Sequence, residues 1–223
     1  MRNRFDLQLD SLEESLKEMG MCCQEAITLT IDSLVNQNEK KAQEVIATSI
    51  RIRRMERNIE SICLKLLLQQ QPVARDLRVI SSGLKAVYDL ERIGDVTGDI
   101  AELILKEKVS LAADILNIKK MAQVTEEMVN KAITALTSQD ELLAETVINK
   151  DDEVDTLFKD AKKYLADEYG QVNANVEYAL NLLMIAKYFE KIGDHAVNIA
   201  EWAQFSATGI LKNNSTGNWK KVR

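Results

Sequence analysis

Acidic side chains four residues apart on a helix can hold a metal ion, accept a cation or face water. Three such pairs in this sequence share a helix face with apolar residues: Glu91 with Asp95, Asp151 with Asp155, and Glu190 with Asp194. At about a hundred degrees per residue, positions four apart share one helix face. The face of Leu77, Ile80, Leu84 and Val87 runs on into Glu91, Asp95, Gly98 and Glu102, with Asp99 at its edge. Val176, Ala179, Leu183 and Ala186 lead in the same way into Glu190, Asp194, Val197 and Glu201. Carboxylates in line with an apolar stripe are costly to bury unless protonated, paired with cations or bound to metal. Four of them on two facing helices would make an oxygen-rich pocket suited to Mg, Mn, Fe or Zn. The competing reading is a set of solvated acids, and Asp151 and Asp155, soon after a helix start, also suit the positive end of a helix dipole.

Asp151 and Asp155 share a face with Ala144, Ile148 and Phe158, and counting back from a turn near Gly170 places Asp151 level with Glu190. In the first half, Ser49 and Arg53 stand where Asp151 and Asp155 stand in the second. A guanidinium at Arg53 could neutralise Glu91 and Asp95 without any metal, and Glu56 and Glu60 lie on the same face. The single histidine, His195, follows Asp194 but points about a hundred degrees away from the acidic face, as a packing or surface residue would. With one histidine and no Glu-x-x-His, the ferritin-like di-iron pattern is missing. Ser/His/Asp arrangements, phosphate-cradling glycine loops and zinc-type Cys/His spacings are missing too. The three cysteines, Cys22, Cys23 and Cys63, have no C-x-x-C spacing, and Cys23 and Cys63 fall on helical core positions, which predicts packed, reduced thiols.

The elements that must position these residues are helices. Among 223 residues, 46% are hydrophobic and 29% charged, with one proline and eight glycines. That composition leaves little material for a turn-rich sheet and predicts an all-α protein. The net charge of −6 argues against nucleic acid as a partner. The opening Met-Arg-Asn-Arg-Phe-Asp has no apolar run behind its basic residues, which predicts a cytoplasmic chain. The uncharged run Tyr178 to Ala186 is too short to cross a bilayer, so membrane contact is expected only through partners.

Leu9, Leu12, Leu16, Met19, Cys23, Ala26 and Thr30 form one stripe of a first long helix. Asn36 and Glu39 have capping-box spacing for a second helix to about Gln70, and Pro72 breaks it and opens a third to about Lys108. Ile118, Met121, Thr125, Met128 and Ala132 then mark a fourth helix over about 113–137, with Ser138 and Glu141 repeating the cap. A fifth ends at Gly170, and a sixth covers about 175–207. Leu84, Glu91, Ile93, Gly94, Asp95, Ile100, Ala101 and Glu102 recur as Leu183, Glu190, Ile192, Gly193, Asp194, Ile199, Ala200 and Glu201. This is an internal repeat. It predicts two tandem, pseudo-symmetric antiparallel three-helix bundles, 1–108 and 109–211, followed by a flexible polar tail at 212–223.

Three segments carry a resemblance to a known family: Gln71-Pro72-Val73-Ala74-Arg75-Asp76-Leu77-Arg78, Leu90-Glu91-Arg92-Ile93-Gly94-Asp95, and Phe189-Glu190-Lys191-Ile192-Gly193-Asp194. With the stretch Phe5 to Ile27, they make the chain similar to the PhoU family, accessory regulators of bacterial high-affinity phosphate uptake. The resemblance implies a homodimer that is not an enzyme. It implies negative regulation between the phosphate ABC transporter, through its ATPase, and the phosphate sensor histidine kinase. It also implies metal ions at Glu91, Asp95, Asp151, Asp155, Glu190 and Asp194; Asp99 joins them as a metal candidate, with only Asn198, a weaker ligand, as its counterpart. Two other classes compete with this regulatory reading: a di-metal carboxylate redox protein, disfavoured by the missing imidazoles, and a purely structural helical bundle with its acids paired to lysines and arginines.

Overall fold

The computed structural model describes residues 2–70, 72, 74–107, 109, 116–169, 175–213 and 218–221. Six helices follow one another: α1 (Arg2–Asn36), α2 (Glu39–Gln70), α3 (Ala74–Glu107), α4 (Ile118–Ser138), α5 (Glu141–Tyr169) and α6 (Val176–Thr208). The expected helices are all present; the expected start of the fourth near Ala113 lies outside the described residues. In each half three helices pack on one another, and the halves join along α1 against α4 and α3 against α6. Where the sequence reading expects a tail, β1 (Ile210–Asn213) and β2 (Asn218–Lys221) pair as an antiparallel ribbon, Ile210 opposite Lys221. Among the described residues, no helix is long and apolar enough to cross a membrane.

The corners after α1 and α4 are built alike, and not with the caps expected. Asn36 and Ser138 are the last residues of their helices. Gln37 and Gln139 follow at φ 51° and 54°. The N–H groups of Asn38 and Asp140 then reach back to the carbonyls of Ser33 (3.1 Å) and Ala135 (3.0 Å). These are Schellman closures, which satisfy helix-end carbonyls by turning one residue left-handed. The next helix is capped two residues later than the sequence spacing suggests. Asn38 Oδ1 accepts from the Lys41 N–H at 3.3 Å, and Asp140 Oδ1 from the Leu143 N–H at 2.9 Å. α6 opens under Asn175, whose side chain accepts from the Tyr178 N–H, and closes at Gly209 with φ 73°.

The predicted stripes form the interior. Leu12, Leu16, Met19, Cys23, Ala26 and Thr30 of α1 are buried, as are Ile118, Met121, Thr125, Met128 and Ala132 of α4. The three cysteines are free and buried, and burial raises all three thiol pKa values, Cys63 to about 12. Polar links also cross between the halves. Arg75 Nη2 donates to Gln139 Oε1 (3.0 Å) and Arg78 Nε to the Ser206 carbonyl (3.4 Å). The arginines of the QP-x-x-RDLR segment therefore tie the start of α3 to the second half. Deeper in, the buried Asp89 of α3 meets His195 Nδ1 at 2.9 Å and accepts from Asn198 Nδ2 at 3.0 Å, both on α6.

Close approach within each half depends on seam glycines: Gly94 and Gly98 face α2, and Gly193 faces α5. A Cβ at Gly94 would lie 2.8 Å from Ile52 Cγ2, and one at Gly193 would lie 3.2 Å from Asp151 Oδ1 and 3.6 Å from Val154 Cγ1. Ile52 and Val154 hold the same place in the repeat, so the two halves pack in one register. Gly94→Ala must push α2 off α3 and should lower stability by about 1–3 kcal/mol, as overpacking does. Gly83→Ala, whose Cβ would sit at ordinary contact (3.4 Å) from Leu16 Cδ1, should be neutral or stabilising because alanine favours helix. Urea unfolding of the two variants checks the contrast; equal effects would refute the steric account.

Candidate functional site

At the α5–α6 seam Asp155, Glu190 and Asp194 lie near enough to Asp151 for their charges to act on it, without the four converging on one point. Asp151 lies over Gly193 and is therefore level with Asp194, one turn beyond the expected Glu190. α5 is described to Tyr169 and α6 from Val176, and the expected turn at Gly170 lies outside the described residues. Glu190 pairs with Lys187 on its own helix, and Asp155 with Lys159 at 3.0 Å. Among the described residues no ion pair within salt-bridge distance reaches Asp151 or Asp194. Burial pushes the Asp151 carboxyl from 3.8 up to about 6, helped by the charges of Asp194, Asp155 and Glu190. Asp194 is raised first by burial and then by Glu190, while Lys187 and His195 oppose the rise.

The fit to a metal is therefore partial in its geometry and good in its electrostatics. Among the described residues, no three acidic, His or Cys side chains converge closely enough to enclose an ion. Two of the four carboxylates are paired with lysines of their own helices, while among the described residues the other two have no ion-pair partner within salt-bridge distance. All four donors are hard oxygens, the set that Mg²⁺, Mn²⁺ and iron prefer.

The α2–α3 seam is different. Arg53 Nη2 lies 2.6 Å from Asp95 Oδ1, and its Nε lies 3.7 Å from Glu91 Oε1. Arg92 approaches the same carboxylates at 3.9 and 3.7 Å and also donates to the Tyr88 hydroxyl. Sequence reasoning found Arg53 and missed Arg92, although its three-residue spacing from Asp95 is a helical ion-pair signal. Glu56 is raised by burial and by Glu60, and adds to the charge around Glu91. Asp99 stands apart from Glu91, facing a polar cavity of about 550 Å³ that Arg53, Arg92, Lys191 and His195 also line. Burial raises the Asp99 carboxyl, as do Asp95 and Glu102, while Lys191 opposes them.

His195 does point away from the acidic face, as the helical spacing requires, but it is not free: it contacts Asp89 across the two halves. Asp89 was not singled out from the sequence, where nothing distinguishes it from a surface acid.

Fold and seams together define a tandem three-helix-bundle protein with one Glu-x-Ile-Gly-Asp segment at the seam of each half. The PhoU domain model matches residues 16–104 and 118–203, and the chain belongs to the PhoU family. It is 37% identical over 186 residues to the phosphate-specific transport system accessory protein PhoU homolog of Aquifex aeolicus, covering 82% of this chain and 84% of that one. Its identity to the Pseudomonas aeruginosa homolog is 30% over 208 residues, 92% of this chain and 86% of the other. The crystal structure of PhoU from Pseudomonas aeruginosa superposes with a TM-score of 0.86 at 31% identity, covering 92% of this chain and 99% of that one. The phosphate transport system regulatory protein PhoU from Streptococcus pneumoniae gives 0.84 at 26%, covering 94% and 99%.

The crowding at Asp151 has a pH signature in metal-free protein. Its folded pKa of about 6 lies above the ordinary 3.8. The folded state therefore prefers the protonated acid, and this stabilisation is complete below the ordinary value and lost as pH rises through about 6. Asp151→Asn should remove that part of the pH dependence, making chelator-treated protein more stable than wild type at pH 7 by on the order of 1 kcal/mol after solvent screening. Thermal unfolding between pH 4 and 8 measures it; parallel curves for the two proteins would refute it.

Proposed function

We propose that this protein is a cytoplasmic negative regulator of phosphate uptake, a non-catalytic homodimeric adaptor between the ATPase of the phosphate ABC transporter and the phosphate sensor histidine kinase. The observation that carries the reading is the family match across both halves, each with its seam segment in place. The accessory and regulatory names of its relatives support it. A strain lacking the gene should express the uptake system even in rich phosphate and over-accumulate phosphate, and reintroducing the gene should restore repression. Unchanged expression and unchanged cellular phosphate in the deletion strain would overturn the reading.

In this proposal Asp151, Asp155, Glu190 and Asp194 hold a divalent or trivalent cation, whose positive charge offsets the carboxylates. α5 and α6 position the donors, and Gly193 lets the two helices close. Without the cation, like charges remain at the seam, a repulsion worth on the order of a few kcal/mol at intermediate dielectric. Chelation should therefore lower the melting temperature, by about 2–4 °C for each kcal/mol in a chain of this size. Asp194→Asn should melt higher than wild type when both are metal-free and should gain little on adding Mn²⁺. A wild-type protein whose melting point ignores both chelator and metal would refute the role of the seam.

A further inference from the structure

The repeat supplies an internal control for the acidic seams. Ile52 sits over Gly94 as Val154 sits over Gly193, so the two helix pairs share a register, although Ser49 meets Gly98 while its counterpart Asp151 meets Gly193. In that register Arg53 takes the place of Asp155 and faces Asp95, the counterpart of Asp194. One guanidinium spans both members of the Glu91–Asp95 pair, at 3.7 and 2.6 Å. Ser49, in the place of Asp151, turns its hydroxyl to the carbonyl of Ile46 at 2.9 Å. Arg92 closes the cluster from the other side. Two carboxylates thus meet two guanidiniums at the α2–α3 seam. At the α5–α6 seam the ion pairs of the four carboxylates among the described residues are with Lys159 and Lys187, which belong to the same helices as the acids they pair with.

Glu91 and Asp95 are well covered, with side chains 17% and 23% exposed. An arginine here is permanently charged and matches carboxylate geometry with two donor groups. A metal ion at this seam would have to displace it, and would then set two positive charges in one small space.

We infer that Arg53 is a resident counter-ion that replaces metal in the first half, so that the chain carries one metal-competent seam instead of two. The count of one rests on the proposed metal role of α5–α6; the exclusion at α2–α3 does not, and rests on Arg53 with Arg92 beside it. The metal sites of this chain are thereby made asymmetric although its fold is not. The same argument says that restoring acids at 49 and 53 should rebuild a site in the first half.

The test is elemental analysis of the full chain after dialysis against Mn²⁺ and, separately, Zn²⁺. Asp151→Asn with Asp194→Asn should bind less than a tenth of the wild-type metal. Adding Ser49→Asp with Arg53→Asp to that background should restore metal to at least half the wild-type level. Arg53→Gln, a milder change, should lower the melting temperature of metal-free protein and make it rise again on adding Mn²⁺. Retention of half or more of the metal by Asp151→Asn with Asp194→Asn, while Arg53 is intact, would overturn the inference. So would failure of both the Ser49→Asp/Arg53→Asp and the Arg53→Gln proteins to respond to metal. If wild type binds none while the Ser49→Asp/Arg53→Asp protein gains it, the metal reading of α5–α6 fails and the role of Arg53 stands.

Discussion

Carboxylates set in line with an apolar helix stripe must find positive charge or surrender their own, and much of this molecule is arranged around that demand. Glu91, Asp95, Glu190 and Asp194 sit where their helices pack against α2 and α5, and the glycine preceding each aspartate brings the helices close. Close packing is what makes the acids expensive, because it removes water from around them. The two halves meet the same demand differently. The first answers it with Arg53 and Arg92, whose charge is fixed by the sequence. The second leaves Asp151 and Asp194 facing each other, and part of the penalty appears as a raised carboxyl pKa.

The helices were legible in the sequence because their stripes are long and regular, and a periodic pattern of thirty residues outweighs local ambiguity. The repeat was legible because its identities fall on the packed face of the third and sixth helices. Helix corners were less so. Asn36–Glu39 and Ser138–Glu141 have the spacing of capping boxes, yet the chain closes each corner through a left-handed Gln37 or Gln139. Glutamine gives no warning of this, since glycine or asparagine is the usual residue there. The cap then falls on Asn38 and Asp140, two positions later in both halves, so the repeat was right where the motif was not.

Of the seam residues, those on one helix could be read from spacing alone, and the pairing of Arg53 with Asp95 followed once the repeat aligned the halves. What spacing could not supply was the partner across the domain boundary. His195 points away from the acidic face as a hundred-degree step requires, but its contact with Asp89 depends on how α3 crosses α6. A buried acid and a surface acid look the same in a sequence. Only the three-dimensional contact shows that Asp89, with His195 and Asn198, is a polar joint between the halves.

That joint places the two seams in mechanical contact. Asp89 lies one helical turn or less from Glu91, and His195 is the residue after Asp194. A buried polar contact of this kind is directional, so it holds α3 and α6 in one relative position instead of letting them slide as apolar surfaces can. The tie of Arg75 to Gln139 adds a second fixed point near the end of the bundle. Arg78, bonded to the Ser206 carbonyl, adds a further tie between the halves. The copies of the duplicated fold thus differ: in the first half a guanidinium of α2 pairs with acids of α3, and in the second Asp155 and Glu190 find their lysines on their own helices.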